Sequence, residues 1–229
     1  MTLHLTDLAR DAELDSRIAL PVQSKPKATA YRKWIKQSLD TLVILAAGLL
    51  VLPVIILMAL VVALDGHNPF YSQLRIGRGG RVFRMWKMRT MVPNAKAKLE
   101  GYLEANPGAR LEWDATQKLK NDPRITKVGR ILRKTSLDEL PQLFNVLIGD
   151  MSLVGPRPMM VEQKELYHGT GYYNVRPGIT GLWQVSDRND CTFHERVLFD
   201  DAYNKDLSLK MDISILIRTV GVVVRGTGY

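Results

Sequence analysis

The sequence predicts an α+β fold that is mostly helical: a re-entrant membrane helix hairpin joined to a small cytoplasmic domain with amphipathic interfacial helices and a short β unit. Three observations lead to this prediction. The segment 41–64 is apolar and contains no ionisable residue. The stretch 69–92 alternates in the manner of paired strands. Most of the other segments have the apolar spacing or the composition of helices.

Composition limits the class of protein. The chain has 229 residues, of which 46% are hydrophobic and 24% charged, so it is neither disordered nor a multi-span transporter. The net charge of +9 favours an anionic partner such as nucleic acid, acidic lipid or a phosphorylated substrate, although a basic surface also simply keeps a protein soluble. Cys191 is the only cysteine, which excludes an internal disulfide, and the histidines show no spacing typical of a zinc site.

The N-terminal part divides into a polar arm and a membrane element. Residues 1–30 are polar, lack strong periodicity and contain prolines, so we predict a mobile arm there. Residues 31–66 are predicted to form the membrane element, because 41–64 is long enough for the ~20 apolar residues of a membrane helix. Residues 67–229 then form the cytoplasmic domain.

Two features favour a helix that enters the membrane and returns over one that crosses it. Pro53 lies near the centre, where it removes a backbone hydrogen bond and kinks the helix. Lysines and arginines cluster on both sides, at 25–36 and 75–89, and such clusters prefer the cytoplasmic face. A true span would leave one cluster outside, so a re-entrant helix broken at Pro53 is favoured. A span and a buried soluble helix remain the alternatives.

Short elements make up the cytoplasmic domain. Two strands are predicted around a glycine-rich turn at 77–80, which matches neither of the common phosphate-binding loop patterns. The last predicted helix has an apolar face that could lie in the lipid headgroup layer, pack in the core or form a dimer interface. Helices are predicted at 94–104, 128–132, 137–148, 159–168, 193–205 and 209–224, and a loop with a short strand at 176–185.

The neighbouring carboxylates of Asp138 and Glu139 have two interpretations. Ser136 and Glu139 have the spacing of a capping box at a helix start, which is a purely structural role. A helix start also attracts phosphate, because its free N–H groups point outward. A carboxylate at this place should be ionised at neutral pH and could attack a phosphorus atom.

Attack by an anion on a diphosphate requires positive charge close by. The rigid segment Gly155–Pro158 would hold one arginine in place for such a contact. Two adjacent carboxylates also suit Mg²⁺, which takes oxygen ligands and keeps several waters, so Asp138 and Glu139 are the candidate metal ligands. The candidate phosphate-binding cations are Lys87, Arg89, Arg130, Arg133 and Arg157.

Three motifs resemble those of the bacterial sugar transferases, the monotopic polyprenyl-phosphate phosphoglycosyl transferases. They are Lys87–Met91, Leu137–Pro158 and Arg176–Val185, and the resemblance covers about residues 31–225. The family's membrane element is a re-entrant helix broken at a proline, often Ser-Pro, whereas this chain has Leu52-Pro53, which leaves the depth of the hairpin open. Without the multi-span N-terminal module of larger relatives, the chain resembles the minimal, exopolysaccharide-priming form.

The resemblance implies a reaction and a set of residues for it. The family transfers a sugar 1-phosphate from a nucleotide diphosphate sugar to a polyprenyl phosphate through a covalent aspartyl-phosphosugar, releases UMP from a UDP-sugar donor, and needs Mg²⁺. By motif position Asp138 would be the catalytic nucleophile, and Glu139 its catalytic partner in metal handling or proton management. Lys87 and Arg157 match family positions implicated in phosphate binding, and Glu162, Arg188, Asp200 and Asp212 also match the family pattern. With Arg89, Arg130 and Arg133 from the charge argument, they are the candidate substrate-binding residues.

The expected partners follow from this resemblance. They are UDP-galactose or UDP-glucose, undecaprenyl (polyprenyl) phosphate, and the lipids of the bacterial inner membrane, at whose cytoplasmic face the chain would begin exopolysaccharide synthesis. The choice of sugar, the role of the N-terminal arm and the oligomeric state, including a homodimer, are not readable from the sequence. The alternative function is a non-enzymatic, membrane-tethered basic scaffold. Nucleic acid is not expected as a partner, because the basic residues lack an interleaved aromatic pattern.

Overall fold

A computed structural model describes residues 29–64, 66–116, 119–186 and 195–224. The predicted arm, apart from its last two residues, lies outside the described residues. The helices are α1 (Lys36–Ala63, preceded by a π-turn at Tyr31–Ile35), α2 (Ala95–Ala105), α3 (Pro107–Thr116), α4 (Lys127–Thr135), α5 (Gln142–Leu147), α6 (Gly171–Asn174), α7 (Glu195–Asp206) and α8 (Leu209–Val224). The strands are β1 (Phe70–Ile76), β2 (Val82–Met88), β3 (Ser152–Val154), β4 (Met159–Met160) and β5 (Gly178–Thr180).

The strands form two small sheets. Strands β1 and β2 make an antiparallel hairpin in which Phe70 is opposite Met88, and β4 pairs with the other edge of β1. The hairpin turn contains Gly79 and Gly80 with φ of 69° and 79°, a left-handed conformation that favours glycine. Strands β3 and β5 pair in parallel. The predicted hairpin and its turn at 77–80 are therefore confirmed.

Several predicted helices need correction at their bounds. A second helix, α3, starts at Pro107 where we expected helix to stop, because proline is tolerated in the first helical turn. The predicted helix 137–148 divides into a 3-10 turn at Leu137–Glu139 and the short α5. The helix predicted at 159–168 is wrong at its start, where β4 pairs with β1, and it continues as a 3-10 helix at Val161–Leu166.

Helix α1 contacts the rest of the molecule at both ends. Near its start, Ile44 packs with Phe83 and Val146, whereas near its end Val62 packs with Met88 and Leu132. The middle carries exposed leucines, Leu49 at 85% and Leu50 at 79%. By length and composition α1 with its π-turn could cross a membrane.

Other apolar side chains also face outward. Ile215 of α8 is buried against the core, while Ile217 and Val220 of the predicted apolar face are 68% and 63% exposed. In α5 and just after it, Phe144 and Ile148 are 56% and 54% exposed. These faces fit a lipid surface or a protein interface and exclude simple core packing for the outward side of α8.

Candidate active site

A cavity of about 940 Å³ lies between β2, the end of α4 and the segment that follows it. Its size is at the upper end of the roughly 300–1,000 Å³ typical of small-molecule sites. Six of the predicted site residues line it: Lys87, Arg89, Arg133, Asp138, Glu139 and Arg157. The structure therefore brings together both candidate catalytic carboxylates and four of the five candidate cations.

The backbone at Ser136 places Asp138 in this cavity. Ser136 has φ of 57°, a left-handed conformation that ends α4 and reverses the chain into the 3-10 turn of Asp138. Ser136 makes no side-chain capping hydrogen bond. The capping-box interpretation is therefore wrong, and Asp138 is a 9% exposed carboxylate at the cavity wall.

Glu139 is held by an ion pair across the cavity wall. The Nζ of Lys87 donates to Oε1 of Glu139 at 2.7 Å, and both side chains are largely buried. Asn145 of α5 fixes this arrangement, because its side chain accepts from the backbone N–H of Trp86 at 3.0 Å and donates to the carbonyl of Arg84 at 2.8 Å. The amide thus ties the segment after Glu139 to the edge strand that carries Lys87.

Burial dominates the electrostatics of Asp138. Burial raises the pKa of Asp138, Lys87 and Arg133 lower it, and the neighbouring Glu139 raises it further. The pKa of Arg133 is lowered by burial, while the charge of Asp138 opposes that change. The Nε of Arg133 donates to Oγ1 of Thr90 at 2.9 Å. Asp138 therefore lies in a partly desolvated site with two cations close by.

Close packing fixes the position of Arg133. Helix α4 is capped by Thr126, whose Oγ1 accepts from the backbone N–H of Gly129 at 2.8 Å. A Cβ at Gly129 would lie 2.1 Å from the carbonyl oxygen of Thr90, so only glycine lets the helix approach this closely. The hydroxyl of Thr90 also accepts the hydrogen bond from Arg133. The packing of Gly129 on Thr90 therefore fixes where Arg133 lies in the cavity wall.

Arg157 reaches the cavity from a rigid loop. Pro156 and Pro158 flank it, and Arg196 donates to its carbonyl oxygen. A Cβ at Gly155 would lie 2.3 Å from the carbonyl oxygen of Arg176, so this loop packs directly against the loop before β5. The loop is therefore fixed on both sides of the half-buried Arg157.

Four candidates either have a different position or lie outside the described residues. Arg89 lines the cavity, but its guanidinium also donates to the carbonyl oxygens of Asn68 at 2.8 Å and Val62 at 3.2 Å, which holds the end of α1. Arg130 and Glu162 are exposed and do not line the cavity. Arg188 lies outside the described residues.

The two predicted late acidic residues are buried in interior networks. Asp200 accepts from the hydroxyl of Tyr167 at 3.0 Å and lies 3.5 Å from Nε of Arg196. Asp212 accepts from Lys36 at 2.6 Å and from the hydroxyls of Tyr31 and Tyr203. Neither lines the Asp138 cavity. Their burial away from the cavity argues against direct contact with a substrate, which stays a prediction.

The sequence analysis missed polar residues of the cavity wall. Tyr71, Gln73, Thr90, Thr180 and Gln184 line the cavity without having been predicted. Thr90, Thr180 and Gln184 belong to motifs that were recognised, so their position in those motifs was the available signal. Tyr71 and Gln73 carry no such signal, because the direction of their side chains depends on the pairing of β1.

The donor set at Asp138 and Glu139 is compatible with Mg²⁺. Magnesium is typically held by one or two carboxylates, with water and substrate phosphate oxygens as the other ligands. No cluster of three or more potential ligands occurs among the residues that the structure describes. Any ion here would therefore use these two carboxylates together with water and substrate oxygens.

An apolar groove of about 480 Å³ adjoins the cavity. It runs between the middle of α1 and α5, and Phe70, Trp86 and Phe144 contribute aromatic walls. Leu140 and Leu143 line both the groove and the Asp138 cavity. A ligand with a charged head and a long apolar tail could therefore occupy both at once.

Comparison with known proteins gives one family and many relatives. A sequence profile described as bacterial sugar transferase matches residues 31–226. The UDP-galactose-lipid carrier transferase of Erwinia amylovora is 49% identical over 86% of this chain and 42% of its own length. The exopolysaccharide production protein ExoY of Rhizobium meliloti is 47% identical over 84% of this chain and 87% of its own length.

A relative whose name contains glucose instead of galactose has a lower sequence identity to this chain. The UDP-glucose:undecaprenyl-phosphate glucose-1-phosphate transferase of Escherichia coli is 35% identical over 93% of this chain and 45% of its own length. The chain thus spans less than half of the length of the galactose and glucose relatives, but most of the length of ExoY.

Proposed function

The chain belongs to the bacterial sugar transferase family, and on this premise we propose that it moves a hexose 1-phosphate from a UDP-sugar to undecaprenyl phosphate and releases UMP. The observation that carries the proposal is the position of Asp138. Together with Lys87 and Arg133, whose charges act on it, Asp138 lines a large cavity that continues into an apolar groove. The product would be the first lipid-linked intermediate of exopolysaccharide synthesis.

The cavity suits the donor. Lys87, Arg133 and Arg157 contribute positive charge to its wall, which a diphosphate requires before an anion can approach it. The names of the relatives point to the sugar: the galactose relative is 49% identical and the glucose relative 35%. Galactose is therefore the first donor sugar to test, with glucose second.

The adjoining groove suits the acceptor. A polyprenyl phosphate has one phosphate at the end of a long apolar chain. The groove between α1 and α5 would hold the first isoprene units, because its walls are almost entirely apolar. The shared residues Leu140 and Leu143 lie where the phosphate would pass into the cavity.

The proposed reaction has two displacements at one phosphorus atom. An Oδ of Asp138 attacks the phosphorus that carries the sugar, and the bond to the UMP oxygen breaks. A phosphate oxygen of the acceptor then attacks the same phosphorus and the bond to Asp138 breaks, which restores the carboxylate. Lys87 orients Glu139 and adds positive charge beside Asp138, while Arg133 and Arg157 neutralise the phosphates. Mg²⁺, when bound, would neutralise further charge on the diphosphate.

The contacts of α1 support the proposed re-entrant topology. Both ends of the helix pack on the same domain, at Ile44 and at Val62, whereas a helix that crossed a bilayer would put these ends on opposite sides. Helix α1 runs without interruption through Pro53 from Lys36 to Ala63, so a break at Pro53 stays part of the proposal. We therefore propose that the domain lies on the cytoplasmic face, where the basic flanks belong.

UMP release by the purified full chain tests this function. The assay uses UDP-galactose, UDP-glucose and N-acetylated UDP-sugars, with and without Mg²⁺ and undecaprenyl phosphate. We expect release that depends on one sugar and on Mg²⁺, and its loss in Asp138→Asn. Asp150→Asn is the matched control, because Asp150 does not line the cavity. Full activity of Asp138→Asn, or no release with any donor by folded protein, would contradict the proposal.

A further inference from the structure

A second basic recess lies at the point where the chain enters α1. Arg32, Lys36, Arg78 and Arg176 line it, together with residues from β3, from α6 and the loop after it, and from the loop after α7. It shares no lining residue with the Asp138 cavity. The proposed reaction assigns no role to this recess.

Three of the four cations that line the recess form no ion pair, and the buried carboxylate of Asp40 is the other negative charge near them among the described residues. Lys36 is paired with Asp212 at 2.6 Å, but Arg32, Arg78 and Arg176 form no ion pair in the described part of the chain. Arg32 donates to the neutral side chain of Asn204 at 2.8 Å, and Arg176 to that of Gln37 at 2.7 Å. Uncompensated positive charge of this kind attracts an anion.

Two further observations favour an anion at this place. The Nε of Arg32 is buried and has no hydrogen-bond partner among the described residues. Burial lowers the pKa of Arg176, the charge of Arg78 lowers it further, and the charge of Asp40 raises it. The arginines therefore repel one another, and a bound anion would remove that repulsion.

The size of the recess restricts the anion. Its volume is about 30 Å³, roughly twice the 10–15 Å³ that one water molecule needs. It can admit the oxygen atoms of a phosphate group but not a nucleotide or a sugar. The rest of the ligand would have to remain outside the recess.

The surroundings indicate where the rest of the ligand would lie. Trp34 and Ile35, on the same π-turn as Arg32, are 75% and 45% exposed. Gln37, the partner of Arg176, lies beside Gly149, next to the exposed Ile148. Trp34 is two residues from both Arg32 and Lys36 and therefore faces away from the recess. The exposed Ile148 is thus the apolar side chain closest to the recess, and it is of the kind that lies at a membrane surface.

We propose that this recess binds the phosphate of an anionic lipid headgroup and thereby fixes the orientation of the domain on the membrane. A lipid phosphate and free inorganic phosphate share the chemistry that the arginines recognise. The neighbouring apolar surface favours the lipid, since only a lipid would contact the recess and that surface together.

Native mass spectrometry of the full chain in a non-ionic detergent tests this proposal. The protein is titrated with phosphatidylglycerol, with phosphatidylcholine and with inorganic phosphate. We expect saturable binding of phosphatidylglycerol that is weakened about tenfold or more in Arg78→Gln/Arg176→Gln. The control is Lys33→Gln/Arg81→Gln, which removes the same charge from exposed neighbouring positions that do not line the recess.

The outcomes separate the sources of the phosphate. Selective loss in the recess variant, with phosphatidylcholine and inorganic phosphate binding weakly, supports the lipid site. Equal losses in both double variants would overturn it in favour of general surface charge, and equally tight inorganic phosphate would assign the recess to a soluble anion instead. Absence of phosphatidylglycerol binding to the wild type also overturns it. If the double variant does not fold, Arg78→Gln alone decides, because Arg78 is exposed in a turn.

Discussion

At the scale of single residues, Asp138 combines two features that usually oppose one another. It is buried, which raises its pKa, yet the proposed chemistry uses the ionised carboxylate. Lys87 and Arg133 act against burial and favour the charged form. A desolvated carboxylate kept ionised by neighbouring cations is a stronger nucleophile than one surrounded by water. The ion pair of Lys87 with Glu139 should therefore matter for turnover.

We predict that Lys87→Gln lowers kcat about 100-fold to 1,000-fold, the usual effect of removing one group that stabilises transition-state charge. The change removes positive charge beside Asp138 and leaves Glu139 without its 2.7 Å partner. Steady-state UMP release measures it. Arg84→Gln is the control, since Arg84 is on the same strand but exposed and away from the cavity. Similar rates for Lys87→Gln and Arg84→Gln would show that Lys87 contributes only to the net charge of the protein, which would contradict a specific role beside Asp138.

Asp200 gives a prediction about stability and pH. Burial raises the pKa of Asp200 to about 7, against the influence of Arg196 and the Tyr167 hydroxyl. Between about pH 4 and 7 the folded protein therefore holds a proton that the unfolded chain has released, so stability falls as pH rises through this range. We expect the Tm in detergent to decrease from pH 5 to 8, and Asp200→Asn to reduce that decrease by several degrees. The same slope in both proteins would contradict the assignment.

At the scale of elements, the site depends on the contact between α4 and the segment after β2. Helix α4 approaches that segment so closely that Gly129 has no room for a side chain. This approach places Arg133 on Thr90 and, through the reversal at Ser136, places Asp138 in the cavity. The site is thus built on the packing of one short helix.

Gly129→Ala should disturb this packing. Its Cβ would lie 2.1 Å from a backbone oxygen, so α4 must shift, and we expect a loss of about 1–3 kcal/mol together with a fall in UMP release. Gly101→Ala in α2 is the matched control, because nothing lies within 4 Å of the added Cβ and alanine favours helix. Thermal unfolding in detergent compares the two. Equal Tm values would show that α4 adapts without cost.

The elements differ in how far their sequence predicts them. The hairpin β1–β2 and helix α8 follow from local alternation and helical spacing, and both are present near the predicted bounds. The start of 159–168 is a strand because Met159 and Met160 pair with β1, more than 80 residues earlier in the chain. Local spacing cannot show such a partner.

The candidate site shows the same limit. Lys87, Asp138, Glu139 and Arg157 stand in recognisable motifs and meet in the cavity. Asp212 was also recognised, but its partners Tyr31 and Lys36 come from the other end of the chain. Its buried network joins α8 to the start of α1, and no local pattern indicates that contact.

At the scale of the whole molecule, the exposed apolar surfaces indicate how it meets the membrane. The middle of α1, the outer side of α5 and the outer side of α8 all carry exposed apolar side chains. Such side chains line the proposed acceptor groove, and the basic recess lies near the exposed Ile148. Catalysis, anchoring and lipid binding are therefore expected to occur in one plane at the membrane surface.

The re-entrant topology predicts that both ends of α1 face the cytoplasm. In a Cys191→Ser background, Ala30→Cys and His67→Cys should both be protected from a membrane-impermeant thiol reagent in whole cells. Permeabilised cells, in which both should react, are the control. Labelling of one position in intact cells would establish a span and contradict the hairpin.

The central claim is that Asp138 carries the phosphosugar between donor and acceptor. The direct measurement is the intact mass of the purified chain after incubation with UDP-galactose and Mg²⁺, without undecaprenyl phosphate. We predict a gain of one hexose phosphate, mapped to Asp138, absent in Asp138→Asn and discharged when acceptor is added. UMP release that requires both substrates, with no adduct at any stage, would contradict the account and indicate direct transfer instead.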